Sequence, residues 1–155
     1  MGVVVLDKPK ISWFVKEQDG LYAPKEEHHA GTYNNEEKII VDIQVWNNRW
    51  GVEDVETLRS PVLNFYFDTI EDSALLELCK VSFDDMGEVP LIIRGNKASA
   101  RIGRDLSGKK NNGDDNDENN AQNFVNIRFE FDAEGHRLKE NDLKNVYFEV
   151  VSMNQ

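Results

Sequence analysis

Apolar and polar residues alternate one for one in several short stretches of this chain. Ile39, Val41, Ile43 and Val45 share one side of residues 38–46, and Asp42, Gln44 and Trp46 share the other with Ile40. Val125, Ile127, Phe129 and Phe131 stand against Asn126, Arg128 and Glu130, and Val146, Phe148 and Val150 stand against Tyr147 and Glu149. A period of two is the mark of a half-buried strand, with one face on a core and one outside. Strands follow at 11–16, 37–46, 62–68, 76–83, 89–94, 97–102, 124–132 and 144–152. Their apolar faces need a second sheet to cover them. The fold expected is all-β, an antiparallel β-sandwich of about eight strands.

Turn chemistry separates the strands. Gly20, Gly51, Gly87 and Gly135 punctuate them, and Gly95-Asn96 between two short runs predicts a tight hairpin turn. Residues 133–143, with Gly135, Asn141 and Asp142, predict a hairpin or arching connection. Residues 71–78 carry Asp68 or Thr69 as a possible cap, early acidic residues, and Ala74, Leu75 and Leu78 at helical spacing. A single helical turn feeding the next strand is expected there, although Leu76 could equally open the strand. Two segments, 19–36 and 105–123, are long and polar. The second has six asparagines from Asn111 to Asn123, with Asp114, Asp115, Asp117 and Glu118. Composition alone predicts that 111–123 is mobile, because it offers little to bury.

At 155 residues the chain fits a single domain, 1–155, large enough for a core without disulfides. Its formal net charge of −11 removes the counterion-release drive towards nucleic acid and gives no attraction to anionic lipid. Neither nucleic acid nor membrane is expected as a partner. The single cysteine, Cys79, allows no internal disulfide and reads as a small buried apolar residue, in keeping with a reducing cytosol. No apolar run approaches a membrane span, the apolar stretch after Met1 is too short for a signal-peptide core, and Leu6 spoils a myristoylation motif.

Candidate chemistry is sparse. Residues 115–119 place oxygen ligands at one-three-five spacing, but Asn120 stands where a calcium loop needs Gly and Asn126 where it needs Glu. His28 and His29 are adjacent and would diverge from one ion, and His136 is the only other histidine. No nucleophile elbow or phosphate-binding glycine loop is present. The expectation is a protein that is not an enzyme, with no metal and no cofactor.

The most distinctive segment is Trp46-Asn47-Asn48-Arg49-Trp50-Gly51. In a structural reading, Trp46 ends a strand, Trp50 folds back over the sandwich end, and Arg49 pairs with Glu53 or Asp54. In an interface reading, Trp46, Arg49 and Trp50 anchor a protein partner, because Trp and Arg dominate binding hot spots. In a third reading, Trp46 and Trp50 form the stacking platform of a carbohydrate-binding module. Trp13-Phe14 and Phe65-Tyr66-Phe67 pose a related choice. Neighbouring aromatics on a strand point to opposite faces, so one ring of each pair needs cover from a loop or from another chain.

Taken in order, residues 45–51, the strand at 63–67, Glu71-Asp72-Ser73-Ala74-Leu75-Leu76, and the 107–123 loop before the strand at 124–131 resemble β-sandwich structural proteins of tailed bacteriophage virions. The likeness is to the Ig-like or jelly-roll components of tail, neck and baseplate in large phages of Gram-positive hosts. It carries over no functional residue. It implies a non-enzymatic protein, made in the host cytoplasm and located in the virion. The partners it implies are other virion proteins and copies of the chain itself in a homo-oligomer.

Overall fold

The computed structural model describes residues 5–16, 20, 22–25, 29–32, 38–67, 73–84, 87–132 and 145–152. The alternating segments form strands: Ile11–Lys16 (β1), Tyr22–Lys25 (β2), His29–Thr32 (β3), Lys38–Asn47 (β4) and Pro61–Phe67 (β5). Cys79–Phe83 (β6), Gly87–Val89 (β7), Ile92–Arg94 (β8), Lys97–Arg101 (β9), Phe124–Asp132 (β10) and Asn145–Ser152 (β11) follow. One 3₁₀ segment, Ser73–Leu78, runs straight into β6, as the helical turn at 71–78 predicts. A second, Glu118–Asn120, lies in the asparagine-rich loop.

The strands make two sheets, ordered β2-β1-β4-β10-β6-β7 and β3-β11-β5-β9-β8, and every strand pair is antiparallel. The protein is an all-β sandwich. The first sheet turns Ile39, Val41, Ile43, Val45, Val125, Ile127, Phe129 and Phe131 inward, all buried. The second sheet answers with Leu63, Phe65, Ala98, Ala100 and Phe148. Phe129 meets Phe65 and Phe148 at ring distances of 5.0 and 5.3 Å, edge to face in both cases, which knits the two layers. Val150 packs partly buried against this core, and the Val146 side chain lies outside the described residues.

Three expectations need correction. The polar segment 19–36 holds two short strands, β2 and β3, at the outer edges of the two sheets. The edge position suits Pro24, which has no N–H for a further neighbour. The run read as one strand at 89–94 is two strands, and the chain crosses from one sheet to the other between β7 and β8 at Pro90 and Leu91. The 105–123 segment is pinned throughout its length, as described below. By contrast, Gly95-Asn96 closes the β8–β9 hairpin, with Arg94 opposite Lys97 and Gly95 at a φ of 61°. The 133–143 connection, His28 and His136 lie outside the described residues, as does the side chain of His29.

Candidate functional site

Strand parity puts Phe14, Gln44, Trp46 and Phe124 on the outer face of the first sheet. Register pairs Phe14 with Gln44 and Phe124 with Trp46. Phe14, Trp46 and Phe124 form a second, smaller apolar cluster there, with Tyr22 at its margin. Trp46 and Phe124 stack at 4.4 Å. The Trp46 indole N–H donates to Gln44 Oε1 at 2.6 Å, and Gln44 Nε2 donates to Asn126 and Asp115. Trp46 thus points to the outer face, as the pattern predicts, but it has no exposed surface. Cover comes from its own chain, which removes Trp46 as an accessible anchor.

The cover is built from the loop that follows β4 and from the asparagine-rich loop. After β4, Asn48 takes a φ of 62° and Trp50 a φ of 60°. That region is tolerated by Asn and rare for a bulky aromatic residue. Arg49 lies between them. Its guanidinium sits over the rings of Phe14, Trp46 and Trp50 at 4.3, 4.6 and 4.3 Å. Its Nε donates to the Gly113 carbonyl at 3.0 Å. Arg49 therefore closes the cluster by stacking and one backbone bond, in place of the ion pair with Glu53 or Asp54 expected from sequence. Burial lowers its pKa from the ordinary arginine value, and the carboxylates of Asp115 and Asp114 pull it back up. Tyr22 is shifted upward, first by burial and then by Asp42 and Asp115.

The asparagines hold this arrangement. Asn47 donates to the carbonyls of Glu56 and Leu106, both at 3.0 Å, and accepts from the Lys10 N–H. Asn48 donates to Glu53 and Gly108, and Asn123 donates to Ser107 and Lys109. Asn111 accepts from the N–H groups of Trp50 and Gly113 and donates to the Asn48 carbonyl at 2.7 Å. Asp117 caps the Glu118–Asn120 turn, and Asn120 reaches back to Asp114. Amide groups satisfy loop backbone here as strands do elsewhere. Gly113, at a φ of 75°, lies so close to the Trp50 indole that a Cβ would overlap the ring.

Trp50 is 57% exposed and Val52 88% exposed, two positions apart on a loop held by hydrogen bonds at Asn48, Trp50, Gly51 and Glu53. Of the three residues that sequence brings forward, Arg49 is a clamp, Trp46 is buried beneath it, and Trp50 alone faces out. Phe14, Gln44, Asn111 and Gly113 also belong to the site. The Trp13-Phe14 pair signals a ring in need of cover, but no local signal marks Gln44, Asn111 or Gly113, which come from distant parts of the chain. Trp13 turns into the main core while Phe14 turns outward, and Tyr66 stacks on Tyr147 at 5.2 Å on the outer face of the second sheet. Cys79 is buried, and burial pushes its thiol well above the ordinary range.

Among the described residues, no three His, Cys, Asp or Glu side chains converge as metal ligands, and no helix is long and apolar enough to cross a membrane. No protein-family model, curated protein or solved structure matches the chain.

Proposed function

We propose that this chain is a non-enzymatic structural protein of a tailed-bacteriophage virion, one that packs against other virion proteins through Trp50. The observation that carries this reading is the presentation of Trp50: a large ring, 57% exposed, on a backbone at positive φ. Arg49 grips one face of that ring, Phe14 meets it edge-on at 5.9 Å, and Gly113 backs it. Strain of this kind persists only when the surroundings over-determine it, and it gathers at sites of function. A ring already fixed in place loses little entropy on binding, which suits an interface anchor. The sequence's likeness to β-sandwich virion proteins supports the virion as its setting.

The alternative, a carbohydrate-binding module using Trp46 and Trp50, needs two accessible rings. Trp46 has no exposed surface, so a two-ring platform is not available on this face.

A photo-reactive phenylalanine analogue placed at position 50 tests the proposal in assembled particles. The chain should be a stoichiometric component of purified virions, and irradiation should cross-link position 50 to a virion protein. The same analogue at Ile40, an exposed position on β4, serves as the comparison. Absence of the chain from purified virions, or no more cross-linking at 50 than at 40, overturns it.

A further inference from the structure

Trp50 and Val52 project from the loops on the outer face of the first sheet. On the opposite side of the sandwich, the outer face of the second sheet carries a groove of about 540 Å³. Val62, Pro90 and Ile92 give it an apolar floor, and Arg94 and Arg101 line it. Ile92 is 49% exposed. The groove lies where the chain crosses from β7 to β8, which is what brings Pro90 into its lining. Both guanidinium groups are exposed, and among the described residues neither has an ion-pair or hydrogen-bond partner. Lys97, on the same face, is already engaged with Glu149 at 3.7 Å and with the Tyr66 ring.

The surface around Trp50 has the complementary character. It offers the exposed side chains of Trp50 and Val52, with Glu53 next in the chain and also exposed. The backing loop carries Asp114, Asp115, Asp117 and Glu118 against Lys109 and Lys110. Asp114 and Asp115 are near enough to act on Arg49. A groove with an apolar floor and two arginines that have no partner among the described residues, and an exposed Trp50 and Val52 on loops where Glu53, Asp54, Asp114, Asp115, Asp117 and Glu118 outnumber Arg49, Lys109 and Lys110, are matched surfaces. They lie on opposite faces of one sandwich, so a single molecule cannot bring them together.

We propose that the groove receives the Trp50–Val52 tip of a second copy of this chain, so that copies join head to tail, with Arg94 and Arg101 facing the carboxylates of those loops. This rests on the reading of Trp50 as a contact surface and names its partner. A contact of this kind is heterologous. It leaves one tip and one groove unfilled at the ends, and it grows until a ring closes or a filament forms.

Sedimentation velocity on three proteins tests it: wild type, a groove variant (Arg94→Glu with Arg101→Glu) and a tip variant (Glu53→Lys with Glu118→Lys). All four side chains are exposed and make no hydrogen bond among the described residues, and circular dichroism checks that each variant folds. Wild type should form a concentration-dependent series of species. Each variant alone should associate about tenfold more weakly or less, because like charges then face each other. Mixing the two variants should restore association, since each then meets its opposite. A wild type that stays monomeric to about 1 mM overturns the inference, as do variants that assemble like wild type, or a mixture that stays apart. Cross-linking of position 50 to a different virion protein, with the pure chain monomeric, also overturns it but leaves Trp50 as a contact surface. No cross-linking at 50 to any protein removes the underlying reading itself.

Discussion

Asn47 shows how much a single buried amide holds here. It has no exposed surface, and it joins the end of β4 to the 56 and 106 carbonyls and to Lys10. Asn47→Ala removes the partner of two carbonyls and one N–H; the Leu106 bond is buried and the other two are partly buried, so the loss should be about 1–3 kcal/mol, most of it from the Leu106 carbonyl. Asn47→Asp should cost more at neutral pH, because a carboxylate would face carbonyl oxygens and desolvation would raise its pKa. A raised folded-state pKa means that stability is greatest in acid and falls as pH rises through that value. Urea titrations at several pH values measure both effects. In the main core, Phe129→Ala should cost about 3–5 kcal/mol, since the ring is fully buried between Phe65 and Phe148. A loss below about 1 kcal/mol would mean that the opposite face of β10 is inside. Phe129 was legible from alternation, because its burial follows from its parity on the strand. Asn47 was not. Its partners are set by loops that return from residues 56 and 106, and nothing near it in sequence announces them.

At the scale of elements, β4 and β10 declare themselves through long alternation, whereas β2 and β3 are four-residue edge strands with Pro24 and Gly31 and show no such pattern. The 89–94 run looks continuous because it is apolar, but Pro90 cannot continue a ladder, and the chain changes sheets there. The asparagine-rich loop misled for a different reason. Composition counts what a segment can bury and overlooks what its amides can bond. Trp46 shows both sides of this: its face was readable, and its cover by 111–123 was not. Gly113→Ala tests the packing of that cover. The methyl would overlap the Trp50 ring and force a non-glycine residue to positive φ, which costs about 1–2 kcal/mol before the overlap is relieved. The expected outcome is a lower unfolding midpoint together with a change in tryptophan emission. A midpoint and an emission spectrum both unchanged would mean that Trp50 does not rest on Gly113.

Acid probes the same loop. Asp117 is held below its ordinary value of 3.8, chiefly by the Asn119 N–H, and Asn112 adds a second bond. A depressed folded-state pKa means that the cap is intact above the ordinary Asp range and is lost only as pH falls beneath it. Tryptophan emission should therefore hold steady through mild acid and shift below that range, and Asp117→Asn should flatten the acid limb. An identical limb in the variant would assign the transition to another group.

For the molecule as a whole, the two sheets form a frame that presents Trp50, the most exposed aromatic side chain among the described residues, on the outer face of the first sheet. The frame was legible in the sequence, and the choice of Trp50 over Trp46 came only from the way the loops pack. A strand-dominated circular dichroism spectrum should accompany every variant that keeps the frame, and a helix content above about a third would contradict it. Trp50→Gly separates frame from contact most directly. It removes the ring and its contacts with Phe14 and Arg49, worth roughly 0.5–1.5 and 0.5–1 kcal/mol. It also relieves a non-glycine residue at positive φ, worth roughly 1–2 kcal/mol. The two nearly offset, so the unfolding free energy should change by no more than about 1.5 kcal/mol. The decisive measurement is incorporation of the Trp50→Gly chain into purified particles, with its unfolding free energy determined on the same preparation. The expected result is a folded chain missing from the particles. A folded chain incorporated at the wild-type level would contradict the assignment of Trp50 as the assembly contact, and a chain that fails to fold would make Trp50 part of the frame.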